Sequence, residues 1–208
     1  TLPMAVLIRS FLVLVFFAVC GGCVHRISTN PLPASPSPST IPRSLQIVMS
    51  SVSLEGADHR PGITLLEWPQ RDITQAIIHY LQERHTFASV SADRSDLALN
   101  TTAKLALSSH QNRYHYRMRL QAEMKEGDQT IKSYAIDQAV VGSSVRWTTD
   151  SDRIPINTAL QQALEDLNEE HEDLKDFVEA NLAVKHRLDN VERNLRKHKH
   201  AVGSGEVA

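Results

Sequence analysis

The chain has 208 residues, with 22 basic and 24 acidic side chains and a formal net charge of −2 at pH 7. A nearly neutral total gives no electrostatic footprint for nucleic acid, so we expect no nucleic-acid partner. The two cysteines, Cys20 and Cys23, both lie near the N-terminus. The remaining sequence therefore cannot form disulfides, thiolate metal sites or a cysteine nucleophile.

The N-terminal segment predicts a secretory signal peptide over residues 1–22. Met4 is the expected start, Arg9 supplies a basic region, and an apolar run from Phe11 ends in small residues before Cys23. This order is typical of signal peptides. The run is too short to span a bilayer comfortably, because a membrane helix takes about 20 apolar residues. The alternative is an N-terminal membrane helix.

The residues at the expected cleavage site resemble the lipobox of bacterial lipoproteins. Gly21 and Gly22 precede Cys23, while Cys20 stands where the motif usually has leucine. In that family the cysteine is lipidated and becomes the mature first residue, so the resemblance implies an acyl or palmitoyl anchor on Cys23. The residue after the cysteine is Val24 and not aspartate, which resembles the outer-membrane sorting pattern of Gram-negative lipoproteins. We therefore expect a protein anchored in the outer membrane and facing the periplasm.

A stretch dense in proline follows the lipidation site. Residues 23–43 contain the run from Ser28 to Pro42, which is poor in charge. Proline fixes φ and cannot donate to a strand ladder, so we expect an extended tether. At about 3.1 Å per residue this tether would reach roughly 60 Å.

Residues 44–156 are expected to form an α/β sheet domain. The run from Ser44 to Leu54 favours a strand, and Asp72 with Gln75 has the spacing of a helix capping box. Apolar residues then recur at helical spacing on one face until about His85. That face comprises Ile73, Ala76, Ile77, Tyr80 and Leu81.

Two clear period-2 patterns then predict neighbouring strands, over 97–107 and 114–124, and a third strand over 130–141 with a central bulge. Such alternation is typical of an antiparallel sheet with one buried and one wet face. We predict the α+β class, a small antiparallel sheet covered by helices on one face.

A long C-terminal helix is predicted over residues 157–200, starting near Thr158 and followed by a disordered tail at 201–208. A heptad pattern with an acidic first half and a basic second half indicates a coiled coil or self-association. The alternative is a monomeric helix lying on its own sheet. The candidate interaction residues, here called the C-terminal seam, are Leu174, Phe177, Asn181, Val184, Leu188 and Val191.

The sequence predicts no catalytic, cofactor-binding or metal residues. His79 and Glu83 have the spacing of a surface ion pair, and His198 and His200 lie in the expected tail. Structural zinc requires four ligands at set spacings, which the chain does not offer. The serines lack a Gly-x-Ser-x-Gly elbow, and no glycine-rich phosphate loop is present.

From about Leu65 to Leu174 the chain resembles bacterial auxiliary lipoproteins of ABC-type transport systems. The resemblance is carried by Leu66–Pro69, Ile73–Leu81, Thr86–Val90 and a terminal helix beginning near Ala159. It implies an accessory role in lipid transport between membranes.

The leading expectation is a non-enzymatic envelope lipoprotein that acts as an accessory or assembly subunit. Its expected partners are the membrane, through lipid on Cys23, and envelope proteins or a second copy, through the C-terminal helix. The alternatives are a cell-wall or lipid-acting enzyme and a binding module that activates a peptidoglycan synthase.

Overall fold

The computed structural model describes residues 23–56, 64–169, 187 and 189–193. The chain divides into two compact units, Thr1–Leu167 and Asn168–Ala208, and the fold below is that of the first. The strands are β1 (Cys23–Arg26), β2 (Ile41–Glu55), β3 (Thr64–Glu67), β4 (Phe87–Ser91), β5 (Leu97–His110), β6 (Arg113–Glu126) and β7 (Gln129–Val141). The helices are α1 (Gln70–Arg84) and α2, which is helical over residues 149–169.

The central element is a five-stranded mixed sheet in the order β4-β2-β5-β6-β7. β2 runs parallel to both β4 and β5, whereas β5, β6 and β7 form an antiparallel meander. A parallel pair requires a crossover, and the chain from β2 through β3 and α1 to β4 provides one. The predicted α+β class is confirmed. The prediction of a small antiparallel sheet is wrong, because β2 runs parallel to both of its neighbours. The direction in which two distant strands pair leaves no local pattern in the sequence.

The period-2 patterns place the core as expected. On β5 and β6 alternate side chains are buried, and the predicted burial of the tyrosine and methionine positions on β6 is confirmed. α1 buries its predicted apolar face, and α2 buries six apolar side chains. Those of α2 are Ile156, Ala159, Leu160, Ala163, Leu164 and Leu167. Both helices lie on the same buried face, since Gln70 of α1 donates to the Met49 carbonyl and Gln138 of β7 donates to Asp166 of α2.

Both helices begin earlier than the capping patterns predicted. α1 starts after Pro69, and no side chain caps its N-terminus. Proline fixes φ and is well suited to a helix start, which explains why Asp72 falls inside the first turn. The predicted cap of the second helix, Thr158, lies within α2 and donates to the Ile154 carbonyl. Hydroxyls satisfy a carbonyl four residues back in this way, so a threonine inside a helix can imitate a capping signal.

The segment predicted as a tether lies on the domain. β1 pairs in parallel with β3, and Ile27 is fully buried. The amide of Ser37 donates to the Arg84 carbonyl at 2.7 Å, and the amide of Ile41 donates to the Thr86 carbonyl at 2.8 Å. Proline removes only its own N–H group, so the residues between prolines remain free to bond and to bury side chains. Residues 24–43 therefore do not form the expected extended spacer.

The bulge in the meander lies near the start of β7, not in its middle. The register shifts between Met124 and Lys125, opposite Lys132 and Thr130. The β5–β6 hairpin turns through Gln111 and Asn112, both with positive φ, as a two-residue hairpin of matching twist requires. Among the described helices, none combines the length and apolar character needed to cross a bilayer.

Candidate functional site

The predicted lipidation site is the first residue of β1. The backbone of Cys23 pairs with Thr64, and the next three residues continue the ladder to Glu67. Burial alternates along this strand, since Val24 and Arg26 are exposed while His25 is buried. A lipid on Cys23 would thus be attached directly at the folded domain.

A buried carboxylate fixes β1 to α2. Oδ2 of Asp152, in α2, lies 2.6 Å from Nδ1 of His25, and its Oδ1 accepts a bond from Nε of Arg146 at 2.7 Å. Asp152 is 0% exposed and His25 4% exposed. Because an ionised carboxylate only accepts hydrogen bonds, Nδ1 of His25 carries the proton. Buried charges are tolerated only when paired and hydrogen-bonded in this way.

Two tyrosines of β6 complete the arrangement, here called the Asp152 network. The Tyr116 hydroxyl donates to Oδ1 of Asp152, and the Arg146 guanidinium lies over the Tyr114 ring at 5.4 Å from its centroid. Burial, and then the bond to Asp152, raise the pKa of the Tyr116 hydroxyl far above its ordinary value. One carboxylate thereby joins β1, β6, the β7–α2 connection and α2.

The Asp152 network connects elements of the fold. A His–Asp pair also occurs in hydrolases, where the histidine faces a nucleophile across an open cleft. His25 and Asp152 are both buried, so the pair does not face an open cleft in this structure. Within the part of the chain that the structure describes, no group of three or more histidine, cysteine or acidic side chains is placed to hold a metal ion.

The second feature is the face of the mixed sheet opposite the helices, here called the open face. Its polar side chains stand in register across β5, β6 and β7, and they are exposed or half-exposed. The three central rungs are Asn100–Glu123–Ser133, Thr102–Gln121–Ala135 and Lys104–Arg119–Asp137. On the other side, Ser51 and Ser53 of β2 stand beside Thr102 and Lys104.

Two adjoining cavities indent the open face. The larger has a volume of about 430 Å³ and the smaller about 280 Å³. Both are lined by Thr102 and Gln121. The larger is also lined by Ser50, Asn100, Ala122, Glu123, Lys125, Ser133, Tyr134 and Ala135, and the smaller by Ser51, Ser53, Ala103, Lys104 and Arg119. The hydroxyl, amide and charged groups among them offer both donors and acceptors, beside apolar surface.

Ion pairs border these cavities. Asp137 accepts two bonds of 2.6 Å from Arg117 and a third, of 3.2 Å, from Arg119. These bonds hold the pKa of Asp137 below its usual value, and the same contact raises the pKa of Arg117. Lys104 lies 2.6 Å from Glu55, and Lys125 lies 3.1 Å from Glu123. Lys104, Arg117, Arg119 and Lys125 are therefore each paired with a carboxylate.

Of the predicted interaction residues, the structure describes only Val191. Val191 of the C-terminal seam is 55% exposed in the short helical stretch 189–193 of the second unit. The other five seam residues, and the predicted signal peptide over 1–22, lie outside the described residues. The open face was missed as a site, although the polar half of the strand alternation on β5 and β6 signalled it. The Asp152 network has no such signal because its members are scattered along the sequence.

Comparison with known proteins identifies the fold but no family. No protein-family model matches the chain, and no curated protein matches it significantly. A solved Xanthomonas campestris protein assigned to family DUF330 is similar to it at a TM-score of 0.50 and 17% identity, over 69% of this chain and 91% of that one. A minor lipoprotein from Acinetobacter baumannii gives a TM-score of 0.38 and 13% identity, over 57% of this chain and 89% of its own. At such identities, the likeness to the Xanthomonas protein concerns the fold alone.

Proposed function

We propose that the chain is a non-enzymatic envelope lipoprotein, anchored in the outer membrane through Cys23, that serves as an accessory subunit of a lipid transport or envelope assembly system. The observation that carries the proposal is the open face, where two cavities of mixed polar and apolar lining adjoin on the side of the sheet away from the helices. This face binds a partner subunit of the system.

The placement of the helices and the buried core on one side of the sheet supports a binding role for the other side. The core, both helices and the Asp152 network occupy one side of the sheet, and they leave the other side for contact. A sheet presenting hydroxyl and amide groups in register can bond to the backbone or polar side chains of a partner, and paired charges at its border can fix the partner's orientation.

An enzyme acting on cell-wall or lipid substrates is the alternative. One observation favours it, the His25–Asp152 pair, whose geometry suits a general base. Its burial favours the accessory role, because substrate would have no route to the imidazole without a rearrangement of β1. A module that activates a peptidoglycan synthase would use the open face in the same way, with a different partner.

The test is complementation of a deletion strain, scored by growth on detergent and large antibiotics, which reports the outer-membrane barrier. Gln121→Trp fills the shared wall of both cavities and should fail to complement while the protein accumulates and folds normally. Glu83→Trp, at an exposed position of α1, is the matched control and should complement fully.

Two results would contradict the proposal. Full complementation by Gln121→Trp would exclude the open face as the binding surface. Cell fractionation of Cys23→Ser addresses the anchor, because the unlipidated chain should leave the membrane fraction. If it instead stays firmly membrane-bound with an uncut N-terminus, the anchor is a transmembrane segment.

A further inference from the structure

The large apolar side chains that the first unit exposes are not scattered. Within its described residues they all lie in three segments, 23–32, 64–67 and 141–154, while α1, β2, β4, β5 and β6 contribute none. Val141 stands at the end of the open face on β7, and the other members lie near the Asp152 network. We call these others the anchor-side patch: Val24, Leu32, Leu65, Val145, Trp147 and Ile154. Trp147 is 86% exposed, an unusual position for the largest apolar side chain.

The Asp152 network brings these segments together. Asp152 bonds to His25, the neighbour of Val24, and to Arg146, the neighbour of Trp147. The β1–β3 ladder pairs Val24 with Leu65. A further bond of 2.8 Å from the Asn30 amide to Oδ1 of Asn157 holds the following part of the N-terminal segment against α2.

The alternation of burial makes the patch face outward. His25 and Arg146 are buried towards Asp152, so Val24 and Trp147 are turned away from it. On α2, Ile154 is exposed two positions after the buried Asp152. Exposed apolar surface gathered in one region normally marks an interface.

We propose that this patch rests on the lipid bilayer that holds the acylated Cys23, so that the domain lies directly on the membrane surface with Trp147 in the headgroup region. The inference depends on the lipidation of Cys23 proposed above. Cys23 is the direct chain neighbour of Val24, and a strand advances only about 3.3 Å per residue. With residues 24–43 on the domain, no spacer separates the acyl chains from the patch.

The composition of the patch and its border suits this occupant. Tryptophan is enriched at membrane interfaces, because its ring is apolar while its N–H can bond to water or headgroups. Arg26, next to the patch on β1, is exposed and can meet lipid phosphates, whereas Arg153, beside Ile154, is paired with Asp150 at 2.9 Å.

The experiment uses the lipidated full-length chain in phosphatidylcholine vesicles with and without brominated acyl chains. The chain has two tryptophans, and Trp68 is buried. The difference between wild type and Trp147→Phe therefore isolates the emission of Trp147. We expect that emission to shift to shorter wavelength on the vesicles and to lose at least half its intensity with brominated lipid.

The control places a tryptophan on the open face, as Gln121→Trp in the Trp147→Phe background, and its emission should be quenched less than a fifth as strongly. Flotation of the vesicles reports the anchor separately. Protein that floats without quenching of Trp147 would overturn the docking and leave the anchor intact, whereas protein that does not float would overturn the anchor itself. A concentration-dependent blue shift of Trp147 without vesicles would mean that a second copy covers the patch, and would also overturn the proposal.

Discussion

Nδ1 of His25 lies 2.6 Å from Oδ2 of Asp152, although the two residues are 127 positions apart in the chain. His25 belongs to the strand that begins at Cys23, and Asp152 belongs to the helix that covers the sheet. Both are buried, so the contact is protected from water and salt. Together with the β1–β3 ladder, this pair holds the residues after Cys23 on the domain.

Loss of the carboxylate charge at Asp152 should destabilise the fold strongly. Asp152→Asn leaves the Arg146 guanidinium buried beside a neutral amide, and breaking a buried pair in this way costs about 3–5 kcal/mol. Urea unfolding of a chain that begins at residue 23 and carries Cys23→Ser measures the change in the free energy of unfolding.

The matched control for this substitution is Asp137→Asn. That carboxylate accepts three bonds from two arginines but lies on the open face, where exposed pairs contribute at most about 1 kcal/mol. Equal effects of the two substitutions would contradict the structural role given to the Asp152 network.

Stability should fall at alkaline pH because of two buried tyrosines. Burial raises the pKa of Tyr80 to about 12 and that of Tyr116 still further, while both titrate near pH 10 in the unfolded chain. A raised pKa in the folded state means that the stabilisation is complete below pH 10. It is lost as the pH rises towards the folded-state value, by at most about 1.4 kcal/mol per pH unit for each tyrosine.

Urea titrations at pH 8, 10 and 11 check this dependence. Tyr80→Phe and Tyr116→Phe should each flatten the decline above pH 10, because phenylalanine has no proton to lose. A decline identical in wild type and both variants would assign the alkaline loss to other groups.

The elements that could be predicted from the sequence are those with a strong local period. The alternation on β5 and β6 identified strands, faces and core, because one side of an antiparallel meander is buried and the other wet. The spacing of Ile73, Ala76 and Tyr80 identified α1 for the same reason. The parallel placement of β2 and the packing of residues 24–43 depend on contacts between distant segments, which no local pattern encodes.

The candidate sites also differ in how far a local sequence pattern reveals them. The polar residues of the open face are visible in the alternation, but the cavities arise from the combination of four strands. His25, Arg146 and Asp152 carry no motif spacing, and their association depends on β1 pairing with β3. Trp147 is a single aromatic residue in a loop, so its exposure could be recognised only from the structure.

The two faces of β6 should respond differently to a change of charge. Met118 is fully buried, and a carboxylate there would stand in the core without a partner, so Met118→Asp should prevent folding. Arg119→Gln removes one long bond to Asp137 on the open face and should change the free energy of unfolding by less than about 1 kcal/mol. Circular dichroism and urea titration compare the two.

This comparison also tests the open face. If Arg119→Gln keeps the fold but abolishes complementation, the residue takes part in partner binding. A well-folded Met118→Asp protein would contradict the assignment of this strand face to the core.

The C-terminal helix should mediate self-association. The heptad pattern continues through Leu174, Phe177 and Leu188, and its acidic and basic halves favour an antiparallel pair. Sedimentation of the processed Cys23→Ser chain should therefore show a dimer that weakens at high salt, because screening shortens the reach of those charges. A chain truncated after Asp176 should remain a folded monomer.

Asn181→Leu should tighten the pair while loosening its register, as expected when a polar residue at a core heptad position is removed. A strict monomer at high concentration would show that this segment does not pair and that any partner it has is a different protein.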